Sequence, residues 1–205
     1  LKQTFGSKLE IEHHFISVFG NTEQRIGEGW KERGGYVGFS RHIIESAKAY
    51  GHLNVNPEIW KLSVPKTSAT SHCFLKAVQL LEENQQISSA DDARYNKTLF
   101  EELLWRVRCA FFENAQDIGK IAVLNDIADE LELPLVAIET LLQDGSALAA
   151  LMRDMEKKEE LRLDCSPSII LNEGRQKLYG DVGYKVLDAN VTESLEHDGK
   201  QLSWC

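Results

Sequence analysis

The sequence predicts an α/β fold in which a layer of helices is inserted into a small strand-containing unit. A segment of alternating polarity comes first, several helical segments follow it, and the chain closes with a short hairpin and a last helix. This many consecutive helices cannot all be short crossovers between strands. We therefore expect the helices to pack together as a layer of their own.

The first residues predict the end of a helix and then a strand. Leu1 to Phe5 resembles a last helical turn, with Gly6 at its C-cap, and this predicts further residues upstream of Leu1. Residues 8–19 (KLEIEHHFISVF) alternate apolar and polar side chains, as a half-buried strand does. His13 and His14 are adjacent and point to opposite faces of such a strand, so a shared metal site is not expected.

A glycine-rich stretch follows Gly20 and contains five glycines between residues 27 and 38. It matches no phosphate-binding loop, because neither a P-loop nor a strand–GxGxxG–helix pattern is present. An irregular connection is favoured slightly over a flexible lid. A helix is predicted from about Ser40 to Gly51, and Pro57 and Pro65 bracket a segment that we expect to be an extended linker.

Five further helices are predicted from apolar residues at helical spacing. They cover residues 68–85, 98–113, 120–131, 135–143 and 146–161. The charged run from Arg153 to Glu160 is interpreted as a solvated helix face.

The C-terminal hairpin is predicted from two short strands with turn residues between them. Ser168–Leu171 is apolar and rich in isoleucine, Asn172–Gly174 has turn chemistry, and Gln176–Tyr179 alternates in polarity. Pro167 stands at the start of the first strand, where its missing N–H costs no ladder bond. A closing helix is expected over residues 183–191.

Composition excludes several classes of function. The chain has 205 residues, 42% of them hydrophobic, and a net charge of −9. The length suits one domain, or one domain that carries an insertion. The acidity disfavours nucleic acid and anionic membranes as partners, and no apolar run approaches the ~20 residues of a membrane span.

The four cysteines, at positions 73, 109, 165 and 205, contain no C-x-x-C pair. Their spacing predicts neither a metal site nor a disulfide framework. A reducing, cytoplasmic location fits it most simply, and export stays open because a leader could lie upstream of Leu1. The motifs of serine hydrolases, zinc proteases and P-loop enzymes are also absent from the sequence.

The order of these elements resembles the DsbA-like thiol:disulfide oxidoreductases, which include the kappa-class glutathione transferases and the 2-hydroxychromene-2-carboxylate isomerases. The resemblance lies in Ser166-Pro167 with its hairpin and closing helix, and in looser helical motifs at residues 71–77, 106–112, 117–118 and 124–131. It implies a thioredoxin-like fold with an inserted all-helical domain. The implied boundaries are 1–60 and 163–205 for the thioredoxin-like parts and 61–162 for the insertion.

The resemblance also implies where the chemistry lies. The family's redox-active Cys-x-x-Cys would lie upstream of Leu1, so no catalytic residue is expected in this chain. A cysteine at a helix N-terminus has a lowered pKa and serves as the attacking thiolate. Ser166 and Pro167 match the cis-proline loop that binds the extended thiol substrate or glutathione.

Cys165 is a candidate extra redox thiol, although a lone cysteine at this place is more often a small buried apolar residue. Cys73 and Cys109 are expected to pack in the core, and no role is predicted for Cys205.

Three functions remain open on this basis. The first is a cytoplasmic oxidoreductase or isomerase that acts on protein or small-molecule thiols and disulfides. The second is a transferase or isomerase with glutathione as co-substrate, and the third is a binding module on the same fold that has lost its redox activity. We expect no metal and no other cofactor, and neither nucleic acid nor a membrane as a partner. Whether the protein forms an oligomer is left open.

Overall fold

A computed structural model describes residues 1–196, without the side chains of Ser7 and Glu173; Cys205 lies outside the described residues. The helices are α1 (Lys2–Phe5), α2 (Gly35–Ala47), α3 (Ala69–Glu83), α4 (Leu99–Phe112), α5 (Ile121–Glu130), α6 (Leu135–Gln143), α7 (Ser146–Glu160) and α8 (Tyr184–Glu196). The strands are β1 (Ser168–Leu171) and β2 (Gln176–Tyr179). The five helices predicted between residues 68 and 161 are confirmed, and the bounds of α6 are those predicted.

The chain divides into two compact units. The terminal unit consists of Leu1–Ile16 and the chain from Asp154 onward, and the helical unit is Ser17–Arg153. Residues 17–60 thus belong to the helical unit.

Helix α3 lies at the core of the helical unit. Its Phe74, Ala77, Val78 and Leu81 are fully buried, and the helix contacts α4, α5 and α6. Helix α4 begins at a capping box, in which the Thr98 hydroxyl accepts a hydrogen bond from the Glu101 N–H and the Glu101 carboxylate accepts one from the Thr98 N–H. Contact with three other helices explains why eight of the 15 residues of α3 are buried, the polar Ser71, Lys76 and Gln79 among them.

The segment between Pro57 and Pro65 is not the extended linker that the sequence predicts. It folds into tight turns that bury Ile59 and Trp60. The Trp60 ring centroid lies 5.0 Å from that of Phe111 and 5.6 Å from that of Phe39. Burial of a large aromatic ring contributes strongly to the free energy of folding, so the segment that carries Trp60 packs into the core.

The glycine-rich stretch is also more ordered than expected. It forms a π-helical turn (Glu23–Glu28) and a 3-10 turn (Lys31–Arg33), and α2 then begins at Gly35. Helix α2 thus starts five residues before the predicted Ser40. Gly38 allows this packing, because a Cβ there would lie 1.8 Å from the Arg33 carbonyl oxygen. The glycines therefore permit close helical turns and do not mark an irregular connection.

The strand predicted over residues 8–19 is wrong. Gly6–Lys8 is a 3-10 turn, and the described part of the chain offers no ladder partner to residues 9–17. Alternating polarity favours an extended chain, but a strand also needs a neighbour that accepts and donates its backbone hydrogen bonds. Phe15 is nevertheless buried, and its N–H donates to the Asp154 carboxylate at 2.8 Å.

The hairpin is confirmed with the bounds predicted from the sequence. Strands β1 and β2 are antiparallel, with Ser168 opposite Tyr179 and Leu171 opposite Gln176. Asn172 and Gly174 adopt positive φ angles of 55° and 93° in the connecting turn, as asparagine and glycine do most readily. Helix α8 follows and contacts β1.

None of the single helices within residues 1–196 has the length and apolar character needed to span a membrane, although α6 and α7, bent by 66°, meet that test as a pair by length and composition alone.

Candidate substrate-binding loop and its surroundings

The three residues before β1 form a loop that is held at both ends. The Pro167 carbonyl accepts a hydrogen bond from the Gly180 N–H at 2.9 Å, which continues the ladder of the hairpin by one step. The Ser168 hydroxyl donates to the Cys165 carbonyl at 2.7 Å. These two hydrogen bonds make the loop an extension of the hairpin. The peptide bond between Ser166 and Pro167 is cis.

Ser166 is exposed, and its backbone is the free part of this loop. Within residues 1–196, neither its N–H nor its carbonyl makes a hydrogen bond. An unpaired donor and acceptor at the end of a strand can pair with an incoming extended chain, as in strand addition. The arrangement can thus hold a peptide backbone without any contribution from the Ser166 side chain.

Cys165 is exposed, so the expectation that it is a buried apolar residue is wrong. Its Sγ lies 3.9 Å from the Ser168 Oγ and 4.0 Å from the Pro167 carbonyl oxygen. It belongs to the same loop as Ser166 and Pro167, which ends where β1 begins at Ser168. Its thiol is free and open to solvent on this loop.

The other two cysteines of the described chain are half-buried on helices of the helical unit. Burial raises the pKa of the Cys73 thiol. Burial also raises the pKa of Cys109, and the nearby Glu113 carboxylate adds to that increase. A raised pKa lowers the thiolate fraction at neutral pH, so both thiols are poor nucleophiles.

A second polar cluster in the terminal unit was not predicted from the sequence. The buried Asp154 carboxylate accepts a hydrogen bond from His14 Nδ1 at 2.8 Å, in addition to the one from the Phe15 N–H. Lys157 Nζ lies 2.8 Å from His14 Nε2, and a Glu12 carboxylate oxygen lies 3.1 Å from the same nitrogen. The hydrogen bonds from His14 and Phe15 to Asp154 connect the extended N-terminal segment to α7.

The charges around His14 influence Glu12. Burial acts to raise the Glu12 pKa, but His14 and Lys157 together lower it below its ordinary value. Lys157 Nζ lies 3.4 Å from the Glu12 carboxylate. Glu12, His14 and Asp154 do not form a metal-binding group, and none is found elsewhere among residues 1–196.

A sequence signal for Asp154 exists within α7. Asp154 follows the buried Ala150 and Leu151 by four and three residues, so it shares their face of the helix. The interpretation of residues 153–160 as a solvated face therefore fails at this position. A charge that lies in the apolar period of a helix is a candidate for a buried, paired group.

Comparison with known proteins identifies the fold. No protein-family model matches the chain, and none of the curated proteins matches it. Among solved structures, a "putative protein disulfide isomerase" from Nitrosomonas europaea is similar over 78% of this chain and 72% of its own, with a TM-score of 0.62 and 13% sequence identity. The protein therefore has an α/β, thioredoxin-like fold with an inserted helical domain, as the sequence predicted.

Proposed function

We propose that the protein is a DsbA-like thiol:disulfide oxidoreductase or isomerase, and that the loop of residues 165–167 binds its substrate in extended conformation. The observation that carries this proposal is the exposed backbone of Ser166, which has no hydrogen-bond partner within residues 1–196. The fold supports the same chemistry, since the similar solved structure is described as a "putative protein disulfide isomerase".

The loop would act by positioning. With the Ser166 N–H and carbonyl paired to the substrate backbone, a substrate cysteine is held at a constant place beside the loop. In thiol–disulfide exchange, a thiolate attacks one sulfur of the substrate disulfide, the S–S bond breaks, and the second sulfur leaves as a thiolate. Holding the substrate in one geometry makes that attack effectively unimolecular.

The proposal requires a redox-active Cys-x-x-Cys outside residues 1–205, because the four cysteines of this chain contain no such pair. Cys165 stays a candidate third thiol, since it is exposed within the proposed binding loop. Cytoplasmic location likewise stays a prediction.

The test uses the full natural protein and a quenched fluorescent peptide that contains a disulfide. Ser166→Pro removes the backbone N–H, whereas Ser166→Ala removes only the hydroxyl and serves as the matched control. We expect Ser166→Pro to raise the KM for the peptide about fivefold, because a net hydrogen bond contributes about 1 kcal/mol. Ser166→Ala should leave KM within about twofold of the wild-type value, since its backbone is intact.

Two results would contradict the proposal: no disulfide turnover by the full protein, or equal KM values for Ser166→Pro and Ser166→Ala. Unchanged midpoints of urea unfolding show that the variants fold.

A glutathione-dependent transferase or isomerase is a second candidate, because the same unpaired backbone suits the cysteinyl backbone of glutathione. Calorimetric titration with glutathione distinguishes this second function from the thiol:disulfide oxidoreductase. Binding of glutathione that Ser166→Pro weakens, together with no turnover of the disulfide peptide, would favour this second function.

A further inference from the structure

The helical unit contains a cavity of about 330 Å³ between α2, the chain that follows it, and α4. Its walls are mostly apolar and include Ile43, Ala47, Val55 and Phe112. This volume lies at the lower end of the range of small-molecule sites, and an apolar wall with a few polar groups is typical of them.

The mouth of the cavity exposes large apolar side chains. Among the residues that line it, Trp105 is 48% exposed, Leu53 46%, Phe112 39% and Tyr50 37%. Single exposed apolar residues are ordinary, but a contiguous group around an opening is typical of a surface that binds something.

Arg108 supplies a positive charge to this wall. Within residues 1–196 its guanidinium makes no hydrogen bond or ion pair, whereas the neighbouring Arg106 is paired with Glu102 and Glu130. Arg108 is open to solvent on one side, but partial burial lowers its pKa from the ordinary value. A partly desolvated guanidinium without a counter-ion is stabilised by an incoming carboxylate, which it can bind through two parallel hydrogen bonds.

The other charged residue of the lining is Glu113, whose carboxylate lies near the Cys109 thiol and raises its pKa. A second cation near the mouth, Lys97, lies with its Nζ 5.7 Å from the centre of the Trp105 ring, but it is ion-paired with the Glu102 carboxylate at 3.3 Å. Within residues 1–196, Arg108 is therefore the cation of the lining that has no carboxylate partner, and it favours an anionic ligand.

We propose that this cavity binds a small amphipathic carboxylate, whose apolar body fills the space between α2 and α4 and whose carboxylate pairs with Arg108. The proposal uses only residues of the helical unit and does not depend on the function assigned to the loop of residues 165–167.

The experiment uses the full natural protein and three probes with the same eight-carbon chain: octanoate, octan-1-ol and octylammonium. Binding is measured by calorimetry and by protection of Cys109 from N-ethylmaleimide, followed by peptide mass spectrometry. Cys165, which is exposed in the terminal unit, is the internal reference for the reagent.

We expect octanoate to bind at least tenfold more tightly than octylammonium and to slow the alkylation of Cys109 but not of Cys165. Arg108→Gln should remove the preference for octanoate and keep the binding of octan-1-ol, which shows that the cavity is intact. Arg41→Gln changes an exposed arginine of α2 that does not line the cavity, and it should leave the preference unchanged.

Three outcomes would overturn the proposal. Equal binding of the three probes would reveal a non-selective apolar cavity, and tighter binding of octylammonium would show that Glu113 governs it. Failure of every probe to bind or to protect Cys109 would mean that the cavity is closed in the full protein.

Discussion

At the scale of single residues, the surroundings of Tyr36 lead us to expect that the free energy of unfolding depends on pH. Its hydroxyl donates a hydrogen bond to the Glu23 carboxylate at 2.9 Å. Burial, followed by this hydrogen bond and the charge of Glu23, raises the Tyr36 pKa from 10.0 to about 12. The folded state therefore favours the protonated phenol. The contribution of Tyr36 to the free energy of unfolding is complete below pH 10 and is lost as the pH rises towards 12.

We expect the free energy of unfolding to fall more steeply between pH 10 and 12 in the wild type than in Tyr36→Phe. Urea unfolding at a series of pH values measures the difference. Tyr179→Phe, an exposed tyrosine of β2, is the control and should follow the wild type. Parallel curves for wild type and Tyr36→Phe would refute the assignment.

Asp154 is the second residue whose environment predicts a measurable effect. Its buried carboxylate accepts hydrogen bonds from the Phe15 N–H and from His14. Asp154→Asn keeps the size of the side chain but loses the charge and one acceptor oxygen. We expect the free energy of unfolding to fall by about 2 kcal/mol, the magnitude of a hydrogen bond to a charged group.

Glu156→Gln provides the comparison for Asp154→Asn. Glu156 lies on the same helix and is exposed, and surface substitutions of this kind usually change stability by less than about 0.5 kcal/mol. Equal unfolding midpoints for the two variants in urea would show that the Asp154 contacts contribute nothing.

At the scale of elements, the starts of α3 and α4 offer a matched pair. Thr98 caps α4 through its hydroxyl, whereas the Ser68 side chain makes no capping hydrogen bond to α3. Thr98→Val should lower the free energy of unfolding by about 1 kcal/mol, because it removes an N-cap acceptor at nearly constant shape. Ser68→Ala should be nearly neutral. Circular dichroism in urea tests both, and equal losses would mean that capping does not distinguish these helices.

At the scale of the whole molecule, the helical unit depends on the packing around α3. Phe74 is fully buried, whereas Leu62 of the same unit is 75% exposed. Phe74→Ala should lower the free energy of unfolding by about 3–5 kcal/mol, the usual cost of removing a buried aromatic ring. Leu62→Ala should have little effect. Tryptophan fluorescence during urea unfolding measures both, and a cost below about 1 kcal/mol for Phe74→Ala would place the core elsewhere.

The sequence predicted the elements that local chemistry controls. Helices α3 to α7 follow from apolar residues at helical spacing, and Pro134 before α6 and the Asn172–Gly174 turn mark boundaries that the structure keeps. The order of the elements predicted the fold class, together with the resemblance of Ser166-Pro167, its hairpin and the helical motifs to one family. These signals lie within a few residues of the element that they describe, so they need no knowledge of distant partners.

The wrong predictions concern segments whose state depends on distant partners. Residues 8–19 have the polarity of a strand but no ladder partner in the described chain, and the segment after Pro57 is buried because Trp60 meets Phe39 and Phe111. The glycine-rich stretch folds into helical turns because its glycines accept close backbone contacts that periodicity does not reveal.

By itself, the sequence determined helices α3 to α7, the hairpin, the fold class and the loop of residues 165–167 as the place to look for a site. Only the tertiary structure showed that Cys165 is exposed and that the Ser166 backbone is unpaired within residues 1–196. It also showed that Asp154 is hydrogen-bonded to His14, 140 residues earlier in the sequence, and that Arg108 lines an apolar cavity. The physical reason is that periodicity and turn chemistry act between near neighbours, whereas burial and pairing depend on residues that folding brings together.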